Sequence, residues 1–184
     1  MKRLFHFTTA NYKTILVLFV LFAILASMQM YFKKPKTFVD GGLKYTHYNN
    51  YVIFERSFSH LIEDKDLYIL YPQEHWDLYK YSPTFSVFFG AFAFLPPLIG
   101  LILWNLLNAI VLFLAFYYLP KIPDKYKIFA LFFMLIELMT SMQNTQSNGL
   151  ISGLLILAFV KLEEGKDWWA SLFIVLTVFI KIFG

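Results

Sequence analysis

The sequence predicts an all-α fold: a polytopic membrane helix bundle with one large outer loop that contains an amphipathic helix. Three observations carry this. Hydrophobic residues make up 59% of the 184 positions and charged residues only 15%, more apolar surface than a soluble domain of that length can bury. The apolar residues gather into runs of membrane length, separated by short charged loops. The largest polar stretch, 33–81, is rich in Tyr, Asp and Glu and follows directly on the first apolar run. Cysteine is absent, which excludes a disulfide framework, a thiolate metal site and a cysteine nucleophile.

The run 14–32 holds about nineteen residues, enough at ~1.5 Å each to cross a ~30 Å hydrocarbon core. Lys2, Arg3 and Lys13 precede it. It is too long for a cleaved signal segment, and Ala26-Ser27-Met28-Gln29 is a poor cleavage site, so it reads as an uncleaved signal anchor with a cytoplasmic N-terminus. Within 33–81, Phe54, Phe58, Leu61 and Ile62 recur at helical spacing, predicting an amphipathic helix over 50–62. Two fates are open to it: lying on the outer membrane face, or packing on the bundle.

Further spans are expected at 98–119, 126–141, 149–161 and 168–184, the last opened by the interfacial pair Trp168 and Trp169. The run 84–95, bracketed by Pro83 and Pro96, is about twelve residues long, the length of a membrane-dipping or interfacial helix. If it does not cross, the loops 121–127 and 161–167 join the N-terminus in the cytoplasm. That side then carries eight Lys/Arg against four acids, while 33–81 carries seven of each. The positive-inside tendency is thereby satisfied, and 1–184 reads as a single membrane domain.

Polar groups at membrane depth are costly and call for a reason. Glu137, Ser141, Asn144 and Asn148 fall on one face if a helix continues through them, and would line a hydrated cavity; interhelical hydrogen bonding is the competing explanation. Lys181 either snorkels to the interface or meets a lipid phosphate. Asp40, before Gly41-Gly42, and Glu55, on the amphipathic helix, are the acids placed to serve as a general base. The remaining loop acids read as solvated charge, with His60 and Asp64 one helical turn apart. His6, His47, His60 and His75 show no mutual i, i+4 spacing, so no metal site is expected. No basic stripe or phosphate-cradling glycine loop points to nucleic acid or nucleotide.

The order of short motifs is informative. After the anchor come Asn50-Tyr51-Val52-Ile53-Phe54, Lys65-Asp66-Leu67-Tyr68, Tyr81-Ser82-Pro83-Thr84-Phe85 and Leu95-Pro96. Leu103-Trp104-Asn105-Leu106-Leu107, Gln146-Ser147-Asn148 and Lys181 follow. This series resembles glycosyltransferase family 87 of the GT-C superfamily, which includes polyprenyl-phosphate-mannose-dependent α-mannosyltransferases. The resemblance implies transfer of a hexose, mannose first, from a polyprenyl-phosphate donor to a lipid or glycan hydroxyl on the outer face of the inner (plasma) membrane. No nucleotide sugar or soluble cofactor is implied.

The resemblance also assigns positions. In such enzymes an outer-loop aspartate after the first helix acts as base; Asn50 occupies that acid position here, leaving Asp40 and Glu55 as candidates. Gln146 and Asn148 match the family's Gln-x-Asn motif, with Thr145 where a glycine is common. Lys181 matches a family lysine, implying contact with the donor phosphate. Glu137 and Asn144 remain as polar residues of a cavity. Members of that family are longer, so the chain is expected to be an N-terminal portion, truncated at its C-terminus and incomplete as an enzyme. The competing function is a non-catalytic membrane protein that binds a partner or a lipid-linked sugar through its outer loop.

Overall fold

The computed structural model describes residues 2–37 and 42–181, with side chains from residue 11 onward. Seven helices account for the regular structure among them: α1 (Lys2–Phe32), α2 (Asn49–Ile62), α3 (Pro83–Ala93), α4 (Pro97–Tyr118), α5 (Asp124–Gln143), α6 (Asn148–Glu163) and α7 (Asp167–Ile180). The described extended structure is limited to an isolated antiparallel bridge between Lys36 and Tyr45. Three helical stretches are long and apolar enough to cross a membrane: Asn11–Phe32, Pro97–Tyr118 and Asp124–Gln143. α3 and α7 are shorter apolar helices. The fold is a helical membrane bundle.

Prolines and polar turns set the boundaries. Pro83 and Pro97 stand in the first turns of α3 and α4, where a missing N–H costs nothing and φ is already helical. Ser82 caps α3 by accepting a hydrogen bond from the Phe85 N–H at 3.1 Å. α5 does not run through the Gln/Asn segment. It stops at Gln143, Thr145 takes a left-handed φ of 53°, and α6 starts at Asn148.

α4 is the centre of the bundle, packed against α1, α5 and α6, while α7 packs on α6. Polar side chains reinforce these contacts. Ser27 of α1 accepts a hydrogen bond from Asn105 Nδ2 of α4 at 2.9 Å, and the same nitrogen lies 3.3 Å from the Met142 carbonyl of α5. Asn108 Oδ1 accepts from the Leu150 N–H at 2.9 Å, satisfying a donor in the first turn of α6 that has no partner within its own helix. α4 and α6 approach so closely that a Cβ on Gly153 would lie 2.9 Å from the Leu112 backbone nitrogen, the small-residue packing common between membrane helices.

α2 takes the second of its two possible fates. Tyr51, Ile53 and Phe54 are buried with Phe85 and Phe89 of α3 and Trp104 of α4. The Phe54 ring lies 5.0 Å from Phe85, 5.3 Å from Phe89 and 6.0 Å from Trp104, each near edge-on, the geometry aromatic quadrupoles favour. The amphipathic helix thus spends its apolar face on the bundle, leaving only its end, at Ile62, widely exposed.

Candidate functional site

The polar residues of interest collect at the end of the bundle that carries α2. There the C-terminal ends of α1, α5 and α7 meet the N-terminal ends of α2, α3 and α6. Gln143 Nε2 donates to Gln29 Oε1 at 2.8 Å, joining α5 to α1. Asn50 Nδ2 donates to the Asn144 carbonyl at 2.7 Å, joining α2 to the α5–α6 turn. In that turn Asn148 Nδ2 donates to Gln146 Oε1 at 2.9 Å, so the two matched amides are oriented by each other.

Lys181 is placed by the Tyr81-Ser82-Pro83 segment. Ser82 Oγ donates to the Phe179 carbonyl, so the residue that caps α3 also holds the last turn of α7. Lys181 follows with extended backbone angles, and its ammonium lies 5.8 Å from the centre of the Tyr81 ring, inside cation–π range. Among the described residues Lys181 enters no ion pair with a carboxylate. Tyr81 is wedged between Phe54 and Phe85, both 4.7 Å away, and its hydroxyl is within 3.5 Å of Ser147 Oγ. Burial raises the Tyr81 pKa, only partly opposed by the Ser147 hydroxyl, so it remains a neutral phenol.

Directly beside Lys181 runs an apolar groove of about 270 Å³, open between α3, α4, α6 and α7. Phe85, Phe88, Leu150, Leu154, Phe179 and Ile180 are among its walls. Phe179 and Ile180 immediately precede Lys181, and Phe85 stacks on the ring that carries its ammonium. The arrangement is one cation and an aromatic platform at the end of a hydrocarbon-lined trough. Such a site suits an amphiphile with an anionic head, because each part of the ligand meets its own kind of surface.

The candidate acids are arranged differently. Asp40 lies outside the described residues. Glu55 sits on α2, half-buried, and burial raises its pKa although Arg56 pulls the other way. It makes no hydrogen bond or ion pair with Lys181, Gln146 or Asn148. Glu137, Ser141, Asn148 and Ser152 line a separate cavity of about 160 Å³. Asn144, the C-cap of α5, is absent from its walls; its amide donates to the Thr140 carbonyl at 2.9 Å. His60 is buried and pairs with Glu74 (Nε2–Oε2 3.1 Å) rather than with Asp64, whose φ of 56° turns the chain away from the helix.

Two members of the site were not singled out from sequence. Tyr81 was visible only as the first letter of a motif, though an aromatic before a Ser-Pro helix start is fixed in direction by the cap. Ser147 was hidden between two amides, and only its burial shows that it faces inward.

The model of glycosyltransferase family 87 matches residues 79–184. That segment contains Tyr81, Glu137, Gln146, Asn148 and Lys181, and leaves Asn50 and Glu55 outside it. No curated protein and no solved structure matches the chain.

Proposed function

The chain belongs to glycosyltransferase family 87, and on that footing we propose that it transfers a hexose, mannose first, from a polyprenyl-phosphate donor to a hydroxyl of a lipid or glycan acceptor. The reaction takes place at the outer face of a cell's inner membrane, with the N-terminus of α1 in the cytoplasm and 33–81 outside. One observation carries the donor assignment: the Lys181 ammonium, which pairs with no carboxylate among the described residues, stands beside the apolar groove. The polyprenyl chain lies along Phe85, Phe88, Leu150 and Leu154, and its phosphate meets Lys181. Gln146 and Asn148, at the same end, hydrogen-bond the sugar.

The chemistry asked of the protein is modest. The acceptor oxygen attacks the anomeric carbon, whose bond to the phosphate oxygen breaks. The electron pair leaves with the polyprenyl phosphate, and Lys181 stabilises the charge that develops there. A carboxylate takes the acceptor's proton. Glu55 and Asp40 are the candidates, and burial, by raising the Glu55 pKa, makes its carboxylate a stronger base than an ordinary glutamate. Asn50 cannot do this work; its amide is committed to the Asn144 carbonyl.

That last contact favours one rival, a non-catalytic protein that binds a lipid-linked sugar. The two are separated by assaying transfer of labelled mannose from polyprenyl-phosphate-mannose in membranes, beside Glu55→Gln, Asp40→Asn and Lys181→Ala. Loss of transfer in one acid variant with donor binding intact identifies the base. Donor binding without any transfer, from mannose or other hexose donors, establishes the rival.

A further inference from the structure

The cavity that holds Glu137 lies on the face of α6 opposite the apolar groove: Asn148, Gly149 and Ser152 turn toward one, Leu150 and Leu154 toward the other. Glu137 and Ser141, one turn apart on α5, face Asn148 and Ser152, one turn apart on α6, with Leu112 and Met134 completing the walls. Glu137 belongs to a helix long and apolar enough to cross a membrane and enters none of the ion pairs among the described residues. Ser141 Oγ is buried without a hydrogen-bond partner. Glu137 itself is exposed on the bundle surface, so on a membrane-spanning helix its carboxylate faces outward from the bundle while Ser141 Oγ is buried. Two polar groups without partners among the described residues are costly at that depth unless a ligand meets them.

The donor set narrows the ligand. A carboxylate only accepts hydrogen bonds, whereas serine hydroxyls both give and accept; a ligand with several hydroxyls matches this combination. A metal ion does not, since the cavity offers a single carboxylate and no group of three His, Asp or Glu side chains occurs among the described residues. The volume, about 160 Å³, suits one compact head group and not a glycan chain.

We propose that this cavity is an acceptor subsite: it takes the hydroxyl-rich head group of a sugar- or polyol-headed lipid, whose tail stays in the bilayer. Glu137 accepts from the head group's hydroxyls, and Ser141 and Ser152 hold them in register. Donor and acceptor then approach along opposite faces of α6 and meet at its N-terminal end, beside Gln146 and Asn148. Only the word acceptor rests on the transferase reading; the lipid-binding subsite stands apart from it.

The test labels the whole protein with dicyclohexylcarbodiimide, which modifies carboxyl groups in apolar surroundings, and reads Glu137 by peptide mass. It is run in bilayers of phosphatidylcholine alone and of phosphatidylcholine mixed with monoglucosyl diacylglycerol. The glucolipid is expected to slow labelling of Glu137 about tenfold, the equivalent of one charge-assisted hydrogen bond. In Ser141→Ala with Ser152→Ala, labelling persists and the protection shrinks. Equal labelling in both bilayers, or no labelling in either, overturns the subsite. In the transfer assay Glu137→Gln raises the acceptor KM about tenfold with the donor KM unchanged; transfer with an unchanged acceptor KM also overturns it. Protection in a protein that transfers from no donor upholds the subsite and refutes the transferase reading instead.

Discussion

The Lys181 ammonium lies 5.8 Å from the centre of the Tyr81 ring, held there because Ser82, the residue between the ring and α3, donates a hydrogen bond to the α7 carbonyl of Phe179. An extended segment and the end of a helix, far apart in sequence, are thereby locked into one platform. No carboxylate among the described residues neutralises the cation, which leaves its charge for a ligand.

Lys181→Met keeps the apolar stem and removes the charge. It is expected to weaken donor binding about tenfold or more, the loss of one charged hydrogen bond. Tyr81→Leu removes the ring and is expected to cost less, on the order of 1 kcal/mol. Titration of polyprenyl phosphate into the purified protein measures both; equal affinity in Lys181→Met removes Lys181 from the donor site.

Thr145 takes a φ of 53°, in the left-handed region that a β-branched residue adopts only under strain. Its hydroxyl is buried without a partner. A glycine, common at this place in the family pattern, relieves both. Thr145→Gly is expected to raise stability by about 1 kcal/mol, read as a higher thermal midpoint. Thr145→Ala keeps the backbone conformation and is expected to gain less.

Asn50 serves the structure through a donor that aspartate lacks. Asn50→Ala is expected to cost about 1 kcal/mol. Asn50→Asp is expected to cost more above neutral pH, because a carboxylate then faces the Asn144 carbonyl. Acidification restores a proton and with it the bond. Thermal midpoints of the two variants at pH 5 and pH 8 check the difference in slope.

Burial holds the Glu55 pKa above its ordinary value of 4.5. The folded protein therefore keeps this proton longer than the unfolded chain. The stability it contributes is complete below pH 4.5 and is lost as pH rises through the raised folded value. Glu55→Gln should flatten that fall in a pH series of thermal midpoints. If Glu55 is the base, transfer by the unaltered protein falls at low pH as its carboxyl takes up a proton, and Glu55→Gln abolishes transfer at every pH.

Much of the architecture was legible in the chain. Apolar runs interrupted by Pro83, Pro96, Pro120 and Pro123 marked the helices, because proline ends one helix and starts the next by the same missing N–H. The polar segment 142–148 marked a turn between two helices. What could not be read was which turns of different helices share a neighbour. Asn50 bonds to Asn144 over 94 residues, and no local pattern encodes that. Glu137 with Ser141 was readable as one face of α5, but Asn144 was not separable from it, because its side chain turns back to the Thr140 carbonyl. His60 found Glu74, not its helical neighbour Asp64, because the chain returns through 71–76 to stack Tyr71 on the imidazole at 3.9 Å. The fate of α2 turned on Trp104, whose burial under Phe54, Phe85 and Phe89 is a property of three helices at once.

The most direct test of the account is transfer of labelled mannose from polyprenyl-phosphate-mannose into the lipid fraction of membranes that contain this protein, with Lys181→Ala alongside. The account predicts transfer that depends on the donor and falls with Lys181→Ala. Transfer undiminished by Lys181→Ala, or no transfer from this or any other polyprenyl-phosphate hexose by folded protein, would contradict it.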